Sequence, residues 1–252
     1  MLLNKQVRDL TLVEIEGTTL VIACDSAGAI GPKPMDRLPV SGELVGKLTA
    51  AVPLMEVMAS GATPVTVINT LSVEMHPTGA GIIMGIRQAV AAAGLPLSIL
   101  NGSTEENMST QQTGVGVTVI GIAKPSQLRL GSSRPGDLVY CLGKPLVGQE
   151  VLDFPDQTAG IDTVRSVLNL PGVHEILPVG SKGIGYELEQ LAGTAGLNYE
   201  LLETAHTMDL QKSAGPATCL LVSVVNNSQS SLEGLLVPAT PLARLLRKPR
   251  SV

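Results

Sequence analysis

The segment Asn101-Gly102-Ser103-Thr104-Glu105-Glu106-Asn107 places two adjacent carboxylates beside hydroxyl and amide side chains. It sits between the apolar run Leu97–Leu100 and the strand-like run Gly114–Ile122. Small residues let the backbone approach a ligand closely, and hard cations are bound by clustered oxygens. An oxygen-rich loop leaving a buried strand therefore suits a metal-bridged polyphosphate better than a nucleophile or a zinc ion. The same residue types also make ordinary solvated turns, so the loop gains meaning only from what accompanies it.

Three other carboxylates stand where an expected strand or helix ends near small residues. Asp9 opens a first strand, Asp25 ends a second just before Ser26-Ala27-Gly28, and Glu56 lies on a helix ahead of Gly61. Magnesium on a nucleotide is commonly held by one or two carboxylates plus phosphate oxygens. Asp9, Asp25, Glu56 and Glu105 are the expected metal set if the fold gathers them. As isolated residues, Asp25 reads equally well as a turn acid and Glu56 as a solvated helix position.

The elements that must position these groups follow from apolar periodicity. Leu10–Ile15 and Thr19–Cys24 read as strands joined at Glu16-Gly17, and the Gly- and Pro-rich stretch 26–40 reads as a loop. Apolar residues at helical spacing predict a helix over 41–60, with Ser41 as N-cap, Gly61 as stop and Pro53 as a possible kink. Strand 64–73, helix 78–93 ending at Gly94, strand 97–100 and strand 114–122 follow. The polar stretch 124–137 marks the expected boundary between domains 1–125 and 126–252. Beyond it, strands are expected at 138–142, 176–179, 199–202 and 217–225, with helices at 160–169 and 183–192. Strands interleave with helices in both halves, which predicts two mixed α/β domains.

Composition excludes several classes. The 252 residues are 44 % hydrophobic but only 2 % aromatic, with no Trp and one Phe, so the core must be aliphatic. A net charge of −5 argues against nucleic acid as a partner, which needs an extended basic surface. The basic residues Arg244, Arg247, Lys248 and Arg250 read as a solvated tail. Cys24, Cys141 and Cys219 each lie in an apolar run and read as small buried hydrophobes rather than a disulfide framework. No leader and no apolar run of membrane-spanning length appears, so a soluble, cytoplasmic protein is expected.

Ordered motifs then carry a resemblance. Lys47-Leu48 through Glu56-Val57-Met58-Ala59-Ser60-Gly61-Ala62-Thr63-Pro64 resembles the GKL…NDLAxxGAxP pattern of the aminoimidazole-ribonucleotide synthetase-like (PurM-like) superfamily. Arg8-Asp9 followed by Ala23-Cys24-Asp25 is similar to its DDAAV…TTD element, and Leu100–Thr104 with Gly116–Gly121 to GGDT…ITVIG. Arg134–Tyr140, Val179–Gly183 and Ser213–Gly215 are similar to its GDxVY, DxSDG and SGG elements. The resemblance implies an α+β/α/β two-domain fold whose N-terminal sheet pairs across a homodimer into a barrel, with ATP near that interface. It implies magnesium or phosphate roles for Asp9, Asp25 and Glu56, phosphate neutralisation by Lys47, and ATP contacts from Gly102, Ser103, Thr104 and Asn107.

Departures narrow the reading. The Asn-Asp of the helix motif is Met55-Glu56 here, the GGDT acid is Ser103, and the DxSDG acids are Val179 and Lys182. The chain begins eight residues before Asp9, without a glycine-rich arm over the nucleotide. The GSTEEN…QTGVGVTVIG wording, preceded by Glu74–Gly79, is most similar to the α-ribazole kinases, which phosphorylate the 5′-hydroxyl of α-ribazole with ATP. Glu105, Glu106 and His76 are the candidate general bases, while His174 and His206 read as structural. The alternatives are another ATP-using member, such as a thiamine-monophosphate kinase or an amide-activating ligase or dehydratase, and a non-catalytic nucleotide sensor. Segment 30–40 reads as a surface loop with a lid as the competing role.

Overall fold

The computed structural model describes residues 3–249 apart from Asn227, Gln229, Ser230, Ser231 and Glu233, so Arg250 lies outside the described residues. The chain divides into two compact units. One holds residues up to Met58 with Ala62–Ser126, and the other holds Ala59–Gly61 with the chain from Gln127 onward.

In the first unit, β1 (Leu3–Val7), β2 (Leu10–Ile15) and β3 (Thr18–Gly28) form an antiparallel meander. Its turns are made by left-handed Arg8 and by Glu16-Gly17. β3 runs four residues past the expected end of the strand because β8 (Gly114–Ala123) pairs with it from Thr19↔Ala123 to Gly28↔Gly114. A two-residue parallel bridge joins β4 (Ile30–Gly31) to β5 (Leu38–Pro39). α1 (Gly42–Ala59) starts where the Ser41 hydroxyl accepts the Leu44 N–H at 3.2 Å and stops at left-handed Gly61; it runs unbroken through Pro53. β6 (Thr63–Leu71) follows, then the turn Met75–Gly79, α2 (Ala80–Ala92) and β7 (Leu100–Thr104). The sheet order is β1-β2-β3-β8-β6-β7.

Two expectations change here. Leu97–Ile99 is a short 3-10 turn, and the strand lies over Leu100–Thr104, taking in the first part of the expected loop. Parallel pairing with β6, from Val67↔Leu100 to Leu71↔Thr104, draws those polar residues into the sheet despite their turn-like composition. Cys24 is exposed, because alternation turns it to the face opposite the helices, whereas Val21 and Ala23 are buried.

The helices of this unit meet at glycines. A Cβ on Gly46 would stand 1.9 Å from the Ile82 carbonyl oxygen, and one on Gly85 would stand 1.8 Å from that of Glu43. The opposite face of the sheet carries half-buried Leu20, Ile22 and Ile120 with exposed Ile15, Ile68 and Ile122.

The second unit is a five-stranded antiparallel sheet, ordered β10-β12-β9-β13-β11. Its strands are β9 (Leu138–Gly143), β10 (Val173–Pro178), β11 (Leu197–Leu201), β12 (Cys219–Val224) and β13 (Ala239–Arg247). The short α3 (Gln149–Asp153), then α4 (Ile161–Leu168) and α5 (Gly183–Thr194), complete it. β13 corrects the expected basic tail: Leu242, Ala243 and Leu245 are fully buried, and Arg244 and Arg247 belong to a strand between β9 and β11. A bulge between Pro241 and Ala243 breaks the alternation that would have announced it. Cys141 and Cys219 are buried as expected; a hydrogen bond to Cys141 and burial both hold the Cys219 thiol well above its ordinary pKa. His174 Nδ1 lies 2.7 Å from Asp137 Oδ2, and buried Glu175 accepts the N–H groups of Gly131 and Ser133, so these groups hold the turn before β9.

The glycine crossing gives a test. Gly85→Leu should lower the unfolding free energy by about 3 kcal/mol or more, because backbone must move to admit the side chain. Gly193→Ala, in α5 with open space around its Cβ, should be neutral or stabilising by about 0.5 kcal/mol. Urea denaturation midpoints measure both.

Candidate functional site

β3, β6 and β7 all end at one edge of the first unit's sheet, where β8 begins. Three connecting loops, 29–40, 72–79 and 105–113, therefore leave from the same place. They are tied to one another by side chains. Lys33 in the first loop pairs with Glu74 in the second at 2.5 Å. Asp36 in the first accepts the Thr113 N–H at 2.8 Å and its hydroxyl at 2.7 Å. Glu106 in the third accepts the Met75 N–H of the second at 2.8 Å and the Thr104 hydroxyl at 2.9 Å. Segment 30–40 thus carries several anchors, including the bond from the Met35 N–H to the Gln111 carbonyl, and a freely swinging lid does not describe it.

Beside β7 lies a cleft of about 210 Å³. Asn69, Gly102, Ser103 and Thr104 line it from the sheet, Ile83 and Arg87 from α2, and Met75 and Leu97 from the flanking turns. Gly102 is required there: a Cβ would fall 2.3 Å from the Asn69 amide, which lies against its α-carbon. Asn69 is 3 % exposed; its Nδ2 donates to the Asn101 carbonyl at 3.0 Å, while its buried Oδ1 has no hydrogen-bond partner in the protein. An unsatisfied buried polar atom is costly, and this one stands in the wall of the cleft. Arg87 adds the cleft's charged side chain.

Of the expected nucleotide-binding residues, Gly102, Ser103 and Thr104 line this cleft. Asn107 lies exposed in the third loop, and Lys47 is exposed on α1. Asn69, Arg87, Ile83 and Leu97 were not legible as site residues, because they are scattered in sequence and look like ordinary strand and helix positions.

The carboxylates divide by environment. Asp25, Val117, Asn69 and Gly102 form one row across four strands, on the face that the helices cover. Asp25 is half-buried, and burial pushes its carboxyl above the ordinary range, partly opposed by a bond from the Ser26 N–H. Glu105 is held below its ordinary range by the N–H groups of Asn107 and Met108, at 2.7 and 3.2 Å. Asp9 is exposed in the turn between β1 and β2, at the same end of the sheet as Asp25. Glu56 is half-buried on α1; its neighbour Val57 packs over Gly121, which pairs with Val21, roughly 13 Å along β3 from Asp25. Among the described residues, no three of His, Cys, Asp and Glu are grouped so as to hold a metal ion. His76 is exposed at the turn before α2.

The loop tie is pH-dependent. Hydrogen bonds from Lys33 and then Thr78 lower the Glu74 pKa from 4.5 to about 2. A depressed carboxylate contributes stability that is complete above its unfolded pKa and is lost as pH falls through the folded one. The stability gap between the wild type and Glu74→Gln should be constant at neutral pH and shrink between pH 4.5 and 2. Thermal melting over that range measures it, and a gap independent of pH would contradict the assignment.

Comparison with known proteins places this geometry. Residues 8–123 match the family described as AIR synthase related protein, N-terminal domain. A thiamine-monophosphate kinase of Methanospirillum hungatei is 20 % identical over 82 % of this chain and 75 % of its own length. The structure of AaThiL complexed with AMPPCP and TMP matches with a TM-score of 0.64 at 16 % identity, over 95 % of this chain and 85 % of that one. The hydrogenase maturation protein HypE of E. coli matches with a TM-score of 0.64 at 17 % identity, over 91 % and 80 %. No helix among the described residues is long and apolar enough to cross a membrane. Residues 8–123 thus match the AIR synthase related N-terminal domain, and the chain shares the PurM-like fold of these structures.

Proposed function

We propose that the protein is an ATP- and magnesium-dependent kinase of a small nucleoside-like alcohol, converting α-ribazole to α-ribazole 5′-phosphate. The observation that carries this reading is the cleft beside β7, continuous through Thr104 and Met75 with the two loops that hold Glu105 with Glu106 and His76. Its volume of about 210 Å³ suits a nucleotide base rather than a whole drug-sized ligand. Asn69 and Arg87 would orient that base, and Thr104, on the same helix-covered face as Gly102, would direct the phosphates along the strand end. The similarity to a kinase structure complexed with AMPPCP supports ATP as the donor.

Phosphoryl transfer asks mainly for positioning and charge neutralisation. The carboxylates fit a metal held largely by phosphate oxygens and not a protein-built cage. Asp25 is the first expected ligand, because the Ser26 N–H compensates its half-buried charge only in part; Asp9, Glu56 and Glu105 remain its proposed companions. Magnesium would supply neutralisation of the developing phosphate charge. Glu105 and Glu106 each commit one oxygen to two internal donors, which suits them to holding the loop, and His76 is then the favoured group to accept the acceptor's hydroxyl proton. The exposed aliphatic face of the sheet supports a homodimer formed through it.

The match to a thiamine-monophosphate kinase favours a second acceptor, thiamine monophosphate. Incubation of the purified protein with ATP, magnesium and each acceptor, read by product mass, decides between them. Phosphorylated α-ribazole is expected; no phosphorylated product from either acceptor would reject the kinase reading. Asp25→Ala should lower kcat by about 10²–10³-fold, in line with loss of a principal electrostatic group. Gly102→Ala should raise KM for ATP about tenfold, a change worth about 1.4 kcal/mol, with kcat less affected.

A further inference from the structure

The tie between Lys33 and Glu74 differs from its neighbours at this end of the sheet, because it draws an ammonium out of water. The Lys33 side chain is 13 % exposed, whereas Arg37 in the same loop, Arg87 on α2 and Lys47 on α1 are exposed. The loop has other anchors and does not need this cation to stay in place. Asp36 binds the Thr113 N–H and hydroxyl, and the Met35 N–H donates to the Gln111 carbonyl. Taking a charge out of water is costly unless it is paired and its hydrogen bonds are made. An ammonium carries three donors, and Glu74 Oε2 accepts one of them at 2.5 Å. Among the described residues, no second acceptor is bonded to Lys33 Nζ.

The partner is itself fixed. Glu74 Oε1 accepts the Thr78 hydroxyl at 2.5 Å, so both oxygens of the carboxylate are oriented and the ammonium is aimed. The turn that carries Glu74 and Thr78 is seated on the end of β7. A Cβ on Gly79 would stand 2.8 Å from the Glu74 carbonyl oxygen and 3.3 Å from the Thr104 methyl carbon. Met75, next in the chain after Glu74, lines the cleft together with Thr104. A polyphosphate directed along the strand end past Thr104 therefore runs toward the turn that holds Lys33.

We propose that Lys33 is the catalytic cation that binds the terminal phosphate of the donor triphosphate, with Glu74 and Thr78 as its positioning residues. The assignment rests on the kinase reading of the same site. It gives Lys33 the phosphate-neutralising role that motif resemblance implied for Lys47, which is exposed on α1. In the transfer, the acceptor's hydroxyl oxygen bonds to the γ-phosphorus as the bond from that phosphorus to the β,γ-bridging oxygen breaks. ADP leaves with the bonding electron pair, and the hydroxyl proton passes to His76. Lys33 keeps its own protons throughout. Its remaining donors meet the equatorial oxygens of the transferring group, over which charge is spread in the transition state. A diphosphate lacks that group, so Lys33 tells triphosphate from diphosphate.

The experiment is calorimetric titration of the wild type, Lys33→Met, the polar Lys33→Gln and Glu74→Gln with AMPPCP and with ADP, each with magnesium. The rate of acceptor phosphorylation is measured alongside. Either neutral Lys33 variant should weaken AMPPCP binding about tenfold or more and keep its ADP affinity. Its kcat should fall about 10²–10³-fold, as when one donor to a developing oxyanion is removed. Glu74→Gln should lower kcat about tenfold while AMPPCP affinity is kept, because the cation is present but less well aimed. Equal losses for AMPPCP and ADP, unchanged AMPPCP affinity in the Lys33 variants, or a wild type that binds no AMPPCP, each overturns the assignment of Lys33. Glu74→Gln that weakens both nucleotides alike overturns the positioning role of Glu74. The two readings fail separately. A Lys33-dependent AMPPCP affinity with no phosphorylated acceptor rejects the kinase and leaves the cation; phosphorylation at the full rate in the Lys33 variants rejects the cation and leaves the kinase.

Discussion

Parallel pairing of β7 with β6 is the constraint from which the rest of the site follows. A parallel pair cannot be closed by a tight turn, so the chain between Leu71 and Leu100 must cross over the sheet face, and α2 is that crossover. The crossover carries Ile83 and Arg87 to the cleft beside β7. Its register sets Gly102 against Asn69, the one place in β7 where any side chain would strike the amide. A slip by one residue would present Asn101 or Ser103 to Asn69 and turn every other strand residue to the wrong face. The glycine therefore specifies both the cleft and the pairing that creates it.

That pairing also brings the exits of β6 and β7 side by side, which explains how the acidic residues are used. Glu106 and Glu74 serve chiefly as acceptors that staple neighbouring loops, and Glu105 caps its own turn. Charge-assisted bonds of this type are stronger than neutral ones, and here they span elements whose backbone would otherwise meet only water. Rigid loops on a rigid sheet end are what a phosphoryl-transfer site requires, since misplacement of reacting groups is costly. The acidity that marked this segment in the sequence thus has a structural use as well as any use toward a cation.

Much of the architecture was legible. Ser41 and Gly61 announced the ends of α1 because capping and left-handed geometry select those residue types locally. The alternation in Gly114–Ala123 identified β8 for the same reason. What the sequence concealed was non-local. Asn101–Thr104 has turn composition and becomes a strand only because β6 lies beside it. β13 was hidden by its bulge and by arginines that resemble a tail, and Cys24 by an apolar run in which only the alternate members Val21 and Ala23 point inward. Asn69 and Arg87 were invisible as site residues because only the fold makes them neighbours. Motif order pointed to the AIR synthase related domain matched over residues 8–123, whereas side-chain roles depend on contacts that no linear spacing encodes.

The contrast between Asp25 and the loop carboxylates carries the electrostatics one step further. N–H donors already lower the free energy of the charged form of Glu105, so an added cation gains less there. Asp25 is in the opposite condition: burial raises the free energy of its charged form, and the Ser26 N–H offsets only part of that. A divalent ion arriving with a polyphosphate gains most where an anion is least compensated, provided that the carboxylate can still be reached. Asp25 is half-buried and shares its row with Asn69 and Gly102, about 10 Å from Asn69 across two strand spacings. That is the scale of a phosphate tail extending from a base held at the cleft. In the proposed reading, the sheet itself sets the distance between base and metal, and the loops close the space around them.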